Sequence, residues 1–182
     1  LVGSEMCIRD RMNSLYGSLQ LNWDGYLFLD VTARNDWSST MSKDNRSYFY
    51  PSVSLSGVIS DMLPKIGGNM PEWFTFAKVR ASYAEVGNDL DPYQLYNNYT
   101  VGKDENGNTT AAPGQILFDS SVRSELIKSW EAGFDVRFLQ NRLGLDFAWY
   151  KTNATRQLLN LPLDPFAGYS SRKVNAGNIQ NE

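Results

Sequence analysis

The sequence predicts an all-β fold: an antiparallel transmembrane β-barrel fragment of about seven strands, cut from a larger barrel. Three observations lead there. From Leu15 onward apolar and polar residues alternate with period two, the mark of strands with one apolar and one polar face. The regular strands run about 10 to 13 residues, longer than the usual strand of about 5 to 6 and matching the roughly 9 to 11 that cross a bilayer at a tilt. Aromatic residues make up 13% of the 182 residues, against a mean hydropathy of −0.41, and they collect at strand ends.

The first strand is Leu15, Gly17, Leu19, Leu21 and Trp23, set against Tyr16, Ser18, Gln20 and Asn22. Asp24-Gly25 supplies a two-residue hairpin turn, since both residue types tolerate positive φ. The next strand, from Tyr26 to Trp37, puts Leu27, Leu29, Val31 and Ala33 on one face and Asp30, Thr32, Arg34 and Asp36 on the other. Burying that second face in a soluble core would strand several charges. After a polar loop over 38–47, Phe49, Val53, Leu55 and Ile59 alternate with Tyr48, Tyr50, Ser52, Ser54 and Ser56, and Pro51 sits near the strand start, where proline is tolerated.

Residues 63–72 hold two prolines and a Gly-Gly pair and form a connector with room for one helical turn. A strand over 74–86 opposes Ala77, Val79, Ala81 and Tyr83 to Lys78, Arg80 and Ser82. The stretch 90–127 is a long loop with a short strand expected in 93–101. Alternation returns in Trp130, Ala132, Phe134, Val136 and Phe138, turns at Gln140-Asn141, and continues in Leu143, Leu145, Phe147 and Trp149. Residues 173–180 begin a last strand.

Seven up-and-down strands put the tight turns and the 61–73 connector on one side and the long loops near 38–47, 88–127 and 154–171 on the other. That is the periplasmic-turn, extracellular-loop asymmetry of outer-membrane barrels. Seven is odd and below the minimum of about eight, and the chain runs from Leu1 to a Glu182 inside a polar extended stretch, so it is expected to be a piece of a longer protein. Residues 1–11 fit no period and resemble an adapter-derived prefix, which leaves 12–182 as the barrel part.

Composition excludes several function classes. With 17 Lys+Arg against 20 Asp+Glu, a net charge of −3 argues against a nucleic-acid partner. Histidine is absent, which removes Ser-His-Asp and Cys-His nucleophiles and histidine metal sites. The one cysteine, Cys7, forms no intrachain disulfide or cysteine cluster. No catalytic residue, cofactor or metal is assigned, and the chain is not expected to be an enzyme. No window approaches about 18 consecutive apolar residues, so no helix spans a membrane.

Five strings then become informative together: Arg34-Asn35-Asp36-Trp37-Ser38-Ser39-Thr40, Tyr50-Pro51-Ser52-Val53-Ser54-Leu55-Ser56, Lys78 through Asn88 (KVRASYAEVGN), Ser129-Trp130-Glu131-Ala132-Gly133-Phe134-Asp135 with Asn141-Arg142-Leu143-Gly144-Leu145-Asp146-Phe147, and Asn175-Ala176-Gly177-Asn178-Ile179. In this order and spacing they resemble barrel motifs of the SusC/RagA family of TonB-linked outer-membrane proteins, over roughly residues 12–182. The resemblance implies part of a barrel of about 22 strands in a Bacteroidota-type cell outer membrane. It implies import of oligosaccharides or peptides beneath a SusD-like surface lipoprotein, driven by the TonB complex through an N-terminal plug and TonB box that these residues do not contain.

Candidate lumen-facing residues are Asp30, Arg34, Asp36, Arg80, Glu131, Asp135, Arg137 and Asp146, either as a hydrated, mutually neutralised wall or in contact with substrate. Tyr93, Tyr96 and Tyr99 are candidate loop contacts that stack on sugar rings, though tyrosine is also ordinary in extended segments. Outer-membrane lipids are the partner of the apolar face. Asp104-Glu105-Asn106-Gly107-Asn108 has calcium-ligand residue types but the wrong spacing, and is a turn. Asp89 and Asp91 flank a turn and are solvated loop carboxylates rather than an acid–base pair. The alternative fold is a soluble or surface-exposed β-sandwich that binds carbohydrate or protein.

Overall fold

Strand pairing follows the alternation closely. A computed structural model describes residues 9–91 and 94–182. Its main sheet has seven antiparallel strands in the order β1 (Met12–Trp23), β2 (Leu27–Ser38), β3 (Ser47–Val58), β4 (Phe74–Asn88), β8 (Glu125–Phe138), β9 (Leu143–Thr155) and β12 (Asn178–Asn181). Between β4 and β8 lie β5 (Tyr99–Lys103), β6 (Thr109–Pro113) and β7 (Ile116–Leu117); between β9 and β12 lie β10 (Leu158–Pro162) and β11 (Ser171–Asn175). β5 and β6 form a hairpin, and β10, β11 and β7 a small separate sheet.

The register joins like with like. Leu21, Leu29, Leu55, Ala81, Ala132 and Trp149 lie in one row across six strands, and Gln20, Asp30, Ser54, Ser82, Glu131 and Tyr150 in the next. Because side chains alternate across a strand, adjacent rows stand on opposite faces. The apolar face stays bare: Leu19, Leu21, Leu55, Val79, Leu145 and Phe147 are all exposed. Its rows end at Tyr83 and Trp130, whose rings lie 4.3 Å apart, and at Trp73, Phe74 and Phe138 at the other end. Past Trp130 the same face turns polar, with Glu85 opposite Lys128 and Lys128 opposite Asn153.

The connections segregate as the alternation requires. Residues 24–26, 59–73 and 139–142 close one rim, and 39–46, 89–124 and 156–177 the other. At the first hairpin Asp24 and Gly25 both have positive φ (53° and 77°), but Trp23 pairs with Leu27, so the loop holds three residues rather than two. The connector forms two helical turns instead of one, α1 (Ile59–Ile66), stopped by Gly67 in the left-handed region at φ 89°. Lys65 of α1 reaches the Asp24 carboxylate at 2.6 Å and its carbonyl at 2.8 Å, tying the helix to the neighbouring turn.

Three further elements depart from the sequence reading. The strand expected over 173–180 is split at Gly177 (φ 106°): its first half pairs with β10 and its second with β9. The loop over 103–114 contains one arm of a hairpin closed by Asp104, whose carboxylate accepts from the Asn106 and Asn108 amides at 3.0 and 2.8 Å. The alternating run that ends at Trp149 in the sequence continues as strand to Thr155 in mostly polar residues, so Trp149 and Tyr150 lie within β9 and not at its end.

The buried apolar core sits in the long-loop rim and not under the sheet. Met41 from 39–46 and Leu90, Leu95 and Val122 from 89–124 form it, with Leu158 from 156–177 against them, so all three loop segments contribute. Ser38 and Thr40 both donate to Asp89, latching the 39–46 loop onto the end of β4.

Candidate functional site

All eight residues expected on the polar face lie there. On β2 they are Asp30, Arg34 and Asp36; on β4, Arg80; on β8, Glu131, Asp135 and Arg137; and on β9, Asp146, opposite Asp135. Seven of them sort into three groups. Arg34 Nε lies 2.8 Å from Asp36 Oδ1, Arg34 Nη2 donates to Ser14 at 3.2 Å, and the Tyr50 hydroxyl donates to the other Asp36 oxygen. Asp36 is buried, at 3% exposure, and these partners compensate its charge.

Arg80 is the second centre. Its Nη2 is 3.3 Å from Asp146 Oδ1 and its Nε 3.6 Å from Glu131 Oε1, so one guanidinium bridges three strands. It lies over Gly133, its register partner, where a Cβ would come within 3.0 Å of Arg80 Nε and 2.7 Å of the Phe147 carbonyl. Arg137 is the third, 3.2 Å from Asp135 and over the ring of Phe76 at 5.1 Å. Asp30 makes no ion pair among the described residues and faces Gln20 and Ser54. The wall is therefore charged with most of its charges paired, and its pairs are at least partly exposed, which suits a hydrated surface.

Tyr48 and Tyr50 are site residues that the strand pattern carried without marking as such. The β3–β4 ladder stops at Ser52–Ala84 although both strands run on, and the two tyrosine rings, 5.5 Å apart, occupy that gap. A Cβ on Gly87 would come within 2.8 Å of the Tyr50 ring. The signal was their phase: both sit on the polar side of β3, where the Tyr50 hydroxyl reaches Asp36 while the Tyr48 hydroxyl is buried without a hydrogen-bond partner among the described residues.

Among the loop candidates, Tyr96 and Tyr99 are both exposed; Tyr96 borders an open cleft with Asn97, Phe118 and Arg172, and Tyr99 begins β5. Tyr99 is not among the residues lining that cleft, and Tyr93 lies outside the described residues. Asp89 and Asp91 do not meet as an acid–base pair: Asp89 accepts from Ser38, Thr40 and the Leu90 amide, Asp91 from Gln94. Among the described residues no group of three or more acidic or cysteine side chains is placed to hold a metal, and no helix is long and apolar enough to cross a membrane.

Comparison with known proteins fits this geometry. The chain is 29% identical over 178 residues to TonB-dependent receptor P3 of Formosa agariphila and 26% identical to TonB-dependent receptor P26 of the same organism, covering 93% of this chain in each case. It spans 17% of the length of either relative. In fold it resembles a chain of the RagAB peptide importer in the closed-closed state, with a TM-score of 0.80 at 20% identity over 93% of this chain and 18% of that one. The siderophore receptor PirA from Pseudomonas aeruginosa is a more distant likeness, with a TM-score of 0.58 at 17% identity over 94% of this chain and 29% of that one. Residues 8–182 match the family described as TonB dependent receptor-like, beta-barrel, a match that takes in every strand of the main sheet. With strands of spanning length, one bare apolar face, one polar face of paired charges and this match along its length, the chain belongs to the TonB-dependent receptor β-barrel family, whose members are outer-membrane receptors and not enzymes.

Proposed function

We propose that the chain is part of the wall of an outer-membrane TonB-dependent active transporter of the SusC/RagA type, in a Bacteroidota-type outer membrane, that imports oligosaccharides or peptides. The observation that supports this most is the pair of unbroken rows, apolar and polar, across six strands. In this reading the apolar face meets lipid, and the girdles at Tyr83–Trp130 and Trp73–Phe74–Phe138 mark its limits. Eight residues separate Trp130 from Phe138, about 27 Å of strand; a tilt of about 40° leaves about 21 Å between the girdle residues, close to the roughly 25 Å apolar band of such barrels.

The polar face then lines the interior, where Arg80 with Glu131 and Asp146, Arg34 with Asp36, and Arg137 with Asp135 keep the wall wet and leave only a small excess of negative charge, three arginines against four carboxylates. The long-loop rim faces the medium, which puts Tyr96 and Tyr99 where a substrate arrives. The resemblance to the SusC/RagA family, and the likeness to the RagAB peptide importer, support a SusD-like lipoprotein on that rim and favour peptides within the substrate range. Plug and TonB-contacting parts belong to the rest of the receptor, so this segment alone moves nothing.

The test is uptake of labelled peptides and oligosaccharides by cells carrying or lacking the full-length gene. Uptake that needs both the gene and a functional TonB complex supports the reading; uptake unchanged by loss of either contradicts it.

A further inference from the structure

A cleft of about 400 Å3 in the long-loop rim gathers four cations, Arg123, Arg156, Arg172 and Lys173, around a single carboxylate, Asp119. The chain as a whole carries a net charge of −3, so this is a local inversion of sign. The carboxylate is already engaged. The Ser121 amide at 2.9 Å and the Arg172 guanidinium at 2.6 Å pull Asp119 down to about 2, and its charge is spent on Arg172. Lys173 donates to the Gln94 side chain and lies 6.0 Å over the Phe118 ring. Arg123 and Arg156 take part in none of the ion pairs among the described residues.

These two arginines are nevertheless held in place by one side chain. The Asn175 amide oxygen accepts from the Arg123 backbone N–H at 2.6 Å, and its nitrogen donates to the carbonyls of Arg123 and Arg156, each at 2.8 Å. Arg156 adopts φ 58° there, a conformation uncommon for a residue with a side chain. Asn175 opens the string Asn175-Ala176-Gly177-Asn178-Ile179 and is the last residue of β11, two residues before the left-handed Gly177.

We infer that this cleft is an oxyanion site, in which Arg123 and Arg156 together take a carboxylate, sulfate or phosphate group of a ligand reaching the rim. Guanidinium groups present paired N–H donors that match such groups two at a time, and a fixed backbone lowers the ordering cost of binding. The group is carried either by an acidic soluble ligand or by an anionic lipid headgroup. The inference rests on the proposed function only in placing this rim toward the medium; binding is read on purified receptor, so its failure is distinct from a failure of uptake.

The experiment uses the full-length receptor in nonionic detergent with three probes: a fluorescent sulfated hexasaccharide, a neutral hexasaccharide of equal length, and micelles doped with phosphatidylglycerol. The R123Q/R156Q variant is expected to lose about tenfold in affinity for the sulfated probe, with heat-modifiability of the barrel unchanged and the neutral probe unaffected. R123K/R156K, which keeps the charges, is expected to recover part of the loss. N175A retains both arginines but frees their backbones, and is expected to weaken binding about threefold. Arginine-dependent binding of the doped micelles alone upholds the chemistry and assigns the group to lipid. Equal binding of the sulfated probe by wild type and R123Q/R156Q, or no arginine-dependent binding of any anionic probe, overturns the inference.

Discussion

Arg80 reaches two carboxylates on two other strands because residue 133 between them has no side chain. A Cβ there would lie 2.7 Å from the Phe147 carbonyl, a backbone atom that cannot retreat without loosening the β8–β9 ladder. Gly133→Ala is therefore expected to cost about 1 to 3 kcal/mol, read as a lower transition in a heat-modifiability assay of the full-length receptor in lipid; an unchanged transition would mean that the strands part more easily than the register implies. The neighbouring pair Leu145 and Asp146 tests the faces themselves. Leu145→Arg on the apolar face is expected to cost about 2 to 4 kcal/mol near the bilayer midplane, whereas Asp146→Asn removes one partner of an exposed pair and costs less than about 1 kcal/mol. If the Asp146 change proves the more damaging, the faces have been assigned the wrong way round.

At the scale of elements, the membrane strands were legible because a half-apolar strand must alternate wherever one face meets lipid, as Leu27, Leu29 and Val31 do against Asp30 and Thr32. The pattern faded where that constraint ends: β9 continues past Trp149 through Lys151, Thr152 and Asn153, which lie beyond the apolar band and are polar on both sides. The eight polar-wall candidates could be placed from parity alone, but their partners could not, since the Arg80–Asp146 contact depends on register between strands 66 residues apart. The loop core was hidden for a related reason. Met41, Leu90, Leu95 and Val122 are isolated apolar residues in polar stretches, and only the tertiary fold brings them together. Leu90→Ala is expected to destabilise this rim by about 2 to 5 kcal/mol. Hydrogen exchange should then accelerate in 89–124 and 156–177 while the amides of β8 stay protected; equal acceleration in β8 would show that rim and wall unfold as one unit.

For the whole molecule, the seven-stranded sheet has two open edges, at β1 and β12, and an apolar face with no partner in the chain. Taken out of the receptor, the 182-residue chain is expected to require detergent and to aggregate in plain buffer; a monodisperse, cooperatively folding monomer would favour the β-sandwich alternative. The central claim, that alternate residues of one strand face lipid and interior, is tested most directly by single spin labels placed in turn at 143–149 of the full-length receptor in lipid bilayers. Labels at Leu143, Leu145, Phe147 and Trp149 should show high accessibility to dissolved oxygen, and those at Gly144, Asp146 and Ala148 to a water-soluble nickel reagent. A profile without period two, or one with the two sets exchanged, would contradict the account.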